Sequence, residues 1–212
     1  QKTAYEIMPS LVGSEMCIRD RIDDLHAFEN YFEKKNMKQR IAIYPTSANP
    51  PTLGHADILI RTSSYFDYVY WAAAINPEKT YSFTEEQRLL MMSEYIQHHQ
   101  LKNVSAEAFN GSTVRYAQTR DACAIVKGLR SLEDFEGEFQ QAVGNTGIDP
   151  NIETFCLFGK PELFAVSSTL VRELALLGEK IENYVLPSVA EIVYTVSYTH
   201  LRAHETRHDL VC

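Results

Sequence analysis

The sequence lacks most of the features that announce a common function. No stretch approaches eighteen consecutive apolar residues, so the pattern predicts no membrane-spanning helix. No strand-like run is followed by G-x-G-x-x-G, which disfavours a dinucleotide-binding enzyme. The absence of G-x-x-x-x-G-K-[ST] removes a P-loop nucleotide site. Only four cysteines occur, Cys17, Cys123, Cys156 and Cys212, and no pair has a C-x-x-C or similar spacing, so a zinc site or disulfide framework has no support. Cys123 and Cys156 sit in the apolar runs "ACAIVKG" and "ETFCLFG" and are expected as small buried hydrophobes in a reduced, cytoplasmic setting. Neither end shows the basic start, apolar run and small-residue cleavage site of a secretory signal. Positive charge is also scarce: 20 Lys and Arg against 28 Asp and Glu give a net charge of −8. Non-specific nucleic-acid binding is therefore not expected. What is present, 212 residues that are 45% hydrophobic and 23% charged, suits one ordinary domain with a real core.

From residue 40 onward, short β-rich runs alternate with helical patterns. Strands are expected at 40–44, 68–74, 103–108, 122–127 and 152–158. Helices are expected near 54–65, 84–99, 112–120, 131–145 and 167–177. The second helix has the clearest start, with Thr84 and Gln87 as a capping-box pair before Leu89, Met92 and Ile96 on one face. This alternation predicts an α/β fold, a doubly wound five-stranded parallel sheet with helices on both faces. Ligands in such folds bind outside the carboxyl ends of the strands.

One segment concentrates unusual chemistry. In "RIAIYPTSANPPTLGHADILI" the first strand is expected to stop at Pro45, and a stiff polar turn leads to a helix opening near Gly54. Free N–H groups and the helix dipole favour an anion there. Glycine lets backbone approach a phosphate, and His55 adds a side-chain donor on the first turn. Taken alone, a Gly-His at a helix start fits a structural histidine as readily as a phosphate ligand.

The segment "YPTSANPPTLGHADIL" resembles the T-x-G-H signature of the nucleotidyltransferase superfamily, and specifically the phosphopantetheine adenylyltransferase family. The likeness continues in register through "FDYVYWAAAINPEKTYSFTEEQR", "KGLRSLEDFEGEFQ", "VSSTLVRELA" and "LPSVAEIV", covering roughly 38–195. The resemblance implies transfer of AMP from ATP to the phosphate of 4′-phosphopantetheine, giving dephospho-coenzyme A and pyrophosphate, with Mg²⁺ assisting. It implies a catalytic set of His55, Lys79 and Arg130. ATP would be bound by Ser47, Ala48, His55, Gly128, Leu129, Arg130 and Glu138, and by Leu163, Phe164, Ala165, Val166, Ser167, Ser168 and Thr169. The acceptor would meet Ser47, Lys79, Thr113 and Lys127. No protein-held metal is expected, and the family's assembly implies a homohexamer.

Plainer readings stand beside these. Lys79 fits a solvated loop lysine, Arg130 and Asp134 fit an i, i+4 helix pair, and Ser167 and Ser168 fit helix N-caps. Departures from the family pattern fall at Thr46, Ala48, Asn49, Thr113, Lys127 and Gly137, mostly on the acceptor side. Two alternatives follow: a related nucleotidyltransferase using another phosphorylated acceptor, or a nucleotide-binding protein without catalysis.

The ends read differently from the domain at 38–195. Residues 9–21, "PSLVGSEMCIRDR", and 196–212, "VSYTHLRAHETRHDLVC", show neither helical nor strand periodicity, and both resemble translated sequencing-adaptor read-through. The extension 1–37 is expected to be non-native or disordered in part, although Leu25, Phe28 and Phe32 have the spacing of a short surface helix. The tail 196–212 is expected to be artefactual or disordered. Within it, "HETRH" (His204, Glu205, His208), with His200, matches H-E-x-x-H. Zinc chemistry would need a packed helix, a third ligand and a cleft. A terminal segment without an apolar docking face predicts an accidental match.

Overall fold

The computed structural model describes residues 39–208, with side chains through Tyr198. The expected helix at Leu25, Phe28 and Phe32 therefore lies outside the described residues, as do the side chains of the HETRH segment. In chain order the elements are β1 (Ile41–Thr46), α1 (Leu53–Tyr65), β2 (Tyr68–Ile75), α2 (Glu85–His98), β3 (Val104–Asn110), α3 (Thr113–Thr119) and β4 (Ala124–Leu129). There follow α4 (Leu132–Ile148), β5 (Glu153–Phe158), a 3₁₀ turn (Pro161–Leu163), α5 (Ser168–Leu176) and α6 (Pro187–His208).

The five strands form one parallel sheet in the order β3-β2-β1-β4-β5. Side chains alternate across each strand, and the core divides accordingly. Ala42, Tyr44, Trp71, Ala73, Ala124 and Val126 point to one face, where they meet Ile58 and Leu59 of α1, Met91, Met92 and Tyr95 of α2, Val171 of α5 and Val189 of α6. Ile43, Ala72 and Ile125 point to the other, against Val114 and Ala117 of α3. The sheet is doubly wound, as its sequence pattern predicts.

The order reverses direction between β1 and β4, and there the sheet opens. These strands pair in register only at Ala42 with Ala124 and Ile43 with Ile125, whereas β1 stays paired with β2 through Thr46. Backbone groups of alternate residues point to alternate neighbours. The Ile41 carbonyl accepts from Cys123 beside β4, so positions 43 and 45 also face that side. The missing N–H of Pro45 therefore falls where the strands have already parted. This is why proline, disfavoured inside a sheet, sits in a central strand, and why β1 runs two residues beyond the expected stop.

Two other expectations are corrected. Cys156 is exposed and Cys123 only half-buried. For Cys156 the cause is β5, an edge strand whose outward positions receive no cover: α4, on that flank, buries none of its residues. The last helix was absent from the sequence pattern, yet it runs Pro187–His208, well into the 196–212 segment. Pro187 is pre-set for a first helical position, and no glycine or proline follows before His208 to stop propagation.

At the centre, Trp71 is 0% exposed, stacks with Tyr44 and meets Tyr95 edge-on. Its indole N–H donates to the Thr46 hydroxyl at 3.0 Å. Trp71→Ala would leave a cavity and orphan that hydroxyl. We expect a loss of about 3–5 kcal/mol, seen as a clear fall in the urea midpoint. A midpoint shift too small for 1 kcal/mol would mean the site collapses around the smaller side chain.

Candidate active site

Where β1 and β4 part, a cleft of about 800 Å³ opens at the carboxyl ends of β1, β2 and β4. It is walled by the turn after β1, the first turn of α1, the loop after β2, the start of α3, one side of α4 and the 3₁₀ turn leading into α5. Gly128 makes close packing of β4 on α1 possible, since a Cβ there would lie 2.9 Å from Ile58 Cγ1.

His55 sits on the first turn of α1. The Thr52 N–H donates to its Nδ1 at 3.1 Å, and the Thr52 hydroxyl lies 2.8 Å from the same nitrogen. A ring nitrogen that accepts a backbone N–H carries no proton, so the proton resides on Nε2. Burial, reinforced by the nearby Arg130 charge, pulls the imidazole pKa down to about 4. His55 is thus a neutral donor at ordinary pH, and its Nδ1 side is already occupied. That arrangement suits a fixed hydrogen bond to a phosphate oxygen. It does not suit proton shuttling.

Three basic side chains differ in how they are held. Arg130, at the end of β4, donates to Asp134 of α4 at 3.2 Å and to the Val166 carbonyl at 3.1 Å. The i, i+4 pair read in the sequence exists, and it orients the guanidinium beside the cleft. Lys127 is 9% exposed and pairs with Glu138 at 2.7 Å and the Gln141 side chain at 3.1 Å. An expected acceptor ligand and an expected ATP ligand are therefore one ion pair. Lys79 is exposed at the cleft rim, and among the described residues only its backbone N–H has a partner, the Asn76 carbonyl.

The turn after β1 is fastened by side chains, because it has no strand to pair with. The carbonyls of Ser47, Asn49, Pro50 and Pro51 accept from Arg88, Arg172, Ser168 and Tyr95 respectively. The Asn49 side chain accepts from the N–H groups of Ser82 and Phe83 at 3.1 and 3.3 Å. Asn49 is thus a strut between loops. It does not line the cleft, and neither does Ala48, whose backbone is left-handed (φ 46°) and whose methyl lies in the core.

The cleft gathers Ser47, His55, Lys79, Thr113, Lys127, Gly128, Leu129, Arg130, Glu138, Leu163, Val166, Ser167, Ser168 and Thr169. It does not gather Ala48, Phe164 or Ala165. Among the hydroxyls of 167–169, Ser168 donates to Pro50, while Ser167, which caps α5 by accepting from the Leu170 N–H, and Thr169, which accepts from Arg172, keep their O–H groups to donate. Asn76, Tyr81, Asp134 and Gln141 also line the cleft without having been read as ligands. Only Asp134 carried a sequence signal, its i+4 spacing from Arg130. The others come from loops or long-range folding, where spacing says nothing.

Comparison with known proteins places this geometry. A family model described as cytidylyltransferase-like matches residues 43–174. A phosphopantetheine adenylyltransferase of Synechococcus sp. (strain JA-3-3Ab) is 46% identical over 151 residues, covering 71% of this chain and 94% of that protein. The Caldanaerobacter subterraneus phosphopantetheine adenylyltransferase is 40% identical, covering 72% of this chain and 94% of its own. The chain belongs to the phosphopantetheine adenylyltransferase family. It is a nucleotidyltransferase. The fold is shared more widely: the Plasmodium falciparum nicotinic acid mononucleotide adenylyltransferase complexed with NaAD superposes with a TM-score of 0.55 at 14% identity, covering 74% of this chain and 95% of that one. A candidate nicotinate-nucleotide adenylyltransferase from Vibrio parahaemolyticus gives 0.58 at 21%, covering 76% and 95%.

The lowered His55 pKa has a defined consequence. Between about pH 4 and the ordinary 6.5 the folded chain binds fewer protons here than the unfolded chain. His55 thus favours folding fully above 6.5, and that contribution fades as pH falls towards 4. An NMR titration should show no His55 inflection between about pH 6 and 8, and the rate profile no limb belonging to it. A His55 inflection near 6.5 would contradict the assigned environment.

Proposed function

We propose that this cleft transfers AMP from ATP to the phosphate of 4′-phosphopantetheine, releasing pyrophosphate and forming dephospho-coenzyme A. The observation that carries this reading is the neutral, Nε2-protonated His55 on the first turn of α1, in a cleft it shares with Arg130, Lys127 and Lys79. No protein nucleophile is needed. An oxygen of the acceptor phosphate attacks the α-phosphorus, a new P–O bond forms, and the bond to pyrophosphate breaks.

The protein's part is alignment and charge. His55 Nε2–H donates to the α-phosphate as negative charge builds there, from a position fixed by Thr52. Arg130, held by Asp134 and Val166, stabilises the departing phosphates. The Ser167 and Thr169 hydroxyls and the backbone N–H groups that open α5 hold the nucleotide, since the N–H groups of Leu163, Phe164 and Val166 already bond in and beside the 3₁₀ turn. Lys79 and Lys127 receive the acceptor phosphate, with Lys127 exchanging its Glu138 contact for the new anion. Magnesium enters with ATP as part of the substrate. Among the described residues no group of three acidic, His or Cys side chains could cage it, and the cleft carboxylates Asp134 and Glu138 are already paired with cations.

Self-association belongs to the same reading. Along α4 the half-buried positions are Asp134, Glu138, Asn145 and the small Ala142, while the large apolar side chains Leu132, Phe135, Phe139 and Val143 are exposed, Leu132 at 84%. Phe155 and Phe158 of β5 add to this apolar surface. It is a helix with its greasy side out, which suits burial against further copies of the chain in a homohexamer. The cytoplasmic setting rests on the thiols of Cys123 and Cys156, unpaired among the described residues.

Pyrophosphate release from ATP, measured with 4′-phosphopantetheine and a panel of other phosphorylated acceptors, tests the reaction. Activity on 4′-phosphopantetheine is expected. Activity on a different acceptor alone would name a related nucleotidyltransferase, and none at all would leave a binding protein. In the active enzyme His55→Ala should lower kcat by about a hundredfold or more, with ATP affinity falling less. Turnover near that of the wild type would remove His55 from the mechanism.

A further inference from the structure

Arg88 is a charged side chain that the proposed reaction leaves unused. It stands on the first turn of α2, is 2% exposed, and no ion pair is formed with it among the described residues. One guanidinium nitrogen donates to two carbonyls, Ser47 at 2.8 Å and Ala74 at 3.2 Å. The guanidinium carbon lies 4.2 Å from the centre of the Tyr81 ring, and Nε has no partner among the described residues. Burying a charge without a counter-charge is expensive, and the N-terminal end of its own helix adds positive potential. An ordinary core position would be filled more cheaply by Leu or Met.

The contacts explain the expense. Ser47 opens the turn after β1, and Ala74 lies near the end of β2. Tyr81 extends the connection: its hydroxyl donates to the Ala74 carbonyl at 3.1 Å and accepts from the Asn76 N–H at 3.0 Å. The Asn76 side chain in turn accepts from the Glu78 N–H at 2.9 Å, and its carbonyl accepts from the Lys79 N–H at 3.0 Å. Arg88 therefore ties the Ser47 turn and the Lys79 turn into one body, although 32 positions separate those residues in the sequence.

We propose that Arg88 is a positioning residue for the acceptor half of the cleft. It touches no reacting atom. It fixes Ser47 and Lys79 relative to each other, so that a phosphate received there stands in line with the α-phosphorus held at His55. Its uncompensated charge draws the same cleft towards anions. The nucleotide half, built from Gly128–Arg130 and 163–169, has contacts of its own, Arg130 with Asp134 and Val166 and the Ser167 cap of α5, and shares only Ser47 with the half that Arg88 fixes. The assignment rests on the reaction proposed above.

Arg88→Lys, Arg88→Met and Tyr81→Leu, each in the full chain, test it. Wild-type pyrophosphate release with 4′-phosphopantetheine comes first and judges the reaction itself; should another acceptor prove active, the variants are assayed with that one. For each variant, kcat is measured well below the onset of melting and normalised to folded protein by circular dichroism. ATP binding is measured separately by calorimetry. Lysine keeps the charge and one carbonyl contact, so Arg88→Lys should lose about 10- to 100-fold in kcat, with a raised KM for the acceptor and ATP affinity unchanged within about twofold. Arg88→Met should lose more, making lysine a partial rescue. Tyr81→Leu, which keeps Arg88 and its two carbonyl contacts but removes the ring beside it and the hydroxyl link to Asn76, should reproduce the kcat loss more weakly. If Arg88→Met does not fold, Arg88→Lys decides; if neither folds, Tyr81→Leu does. Wild-type kcat and KM per folded molecule, with only a lowered melting temperature, would make Arg88 an ordinary structural residue. An equal loss of ATP affinity would equally overturn the assignment to the acceptor half.

Discussion

The parting of β1 from β4 after Ile43 is the constraint on which the rest of this structure depends. Two parallel strands that share only two registered pairs cannot close their carboxyl ends, and the space between them becomes the cleft. Pro45 makes the split permanent, because it has no N–H to offer the neighbouring strand. Gly128 lets β4 lie against Ile58 on the way to that opening. His55 arrives from one side of the fork and Arg130 from the other. The site is where it is because the sheet changes winding direction there.

An opening of this kind removes ladder partners from the turn that follows β1, and buried carbonyls must be satisfied somehow. Here side chains reach in from α2 and α5, helices remote in sequence, to take the carbonyls of Ser47, Asn49, Pro50 and Pro51 one by one. Rigidity at the mouth of the cleft is thus a tertiary property. It explains why the turn can be rich in small polar residues and yet hold one shape.

Much of this was legible in the sequence, and the reasons are physical. Strand and helix periods are local, so all five strands and the first five helices appear within a few residues of their bounds; Thr84 and Gln87 cap α2 as their spacing implies. His55 was visible because glycine, histidine and a stiff turn fall within one short stretch. Other features depend on distant neighbours. Nothing near Asn49 tells that it braces Ser82, and nothing near Ala48 tells that its methyl turns inward. The exposure of Cys156 follows from β5 being an edge and α4 leaving it bare, which no run of apolar letters reveals. Lys127 and Glu138 are eleven positions apart and were expected as ligands of separate substrates, and only the packing of α4 on β4 joins them. The length of α6 escaped because its second half lacks an apolar stripe; its helix continues from what comes before.

Because α4 buries nothing, it is joined to its own sheet largely by charge: Lys127 with Glu138, and Arg130 with Asp134. These are the same groups that anionic substrates would claim. Dissolved salt acts on such pairs by screening, so ionic strength reaches this enzyme by two routes at once. It weakens the attraction of substrate to cleft, and it loosens the helix that forms one wall. A medium of changing salinity would then alter the shape of the site as well as its pull, while the strands underneath, held by apolar contacts, stay as they are.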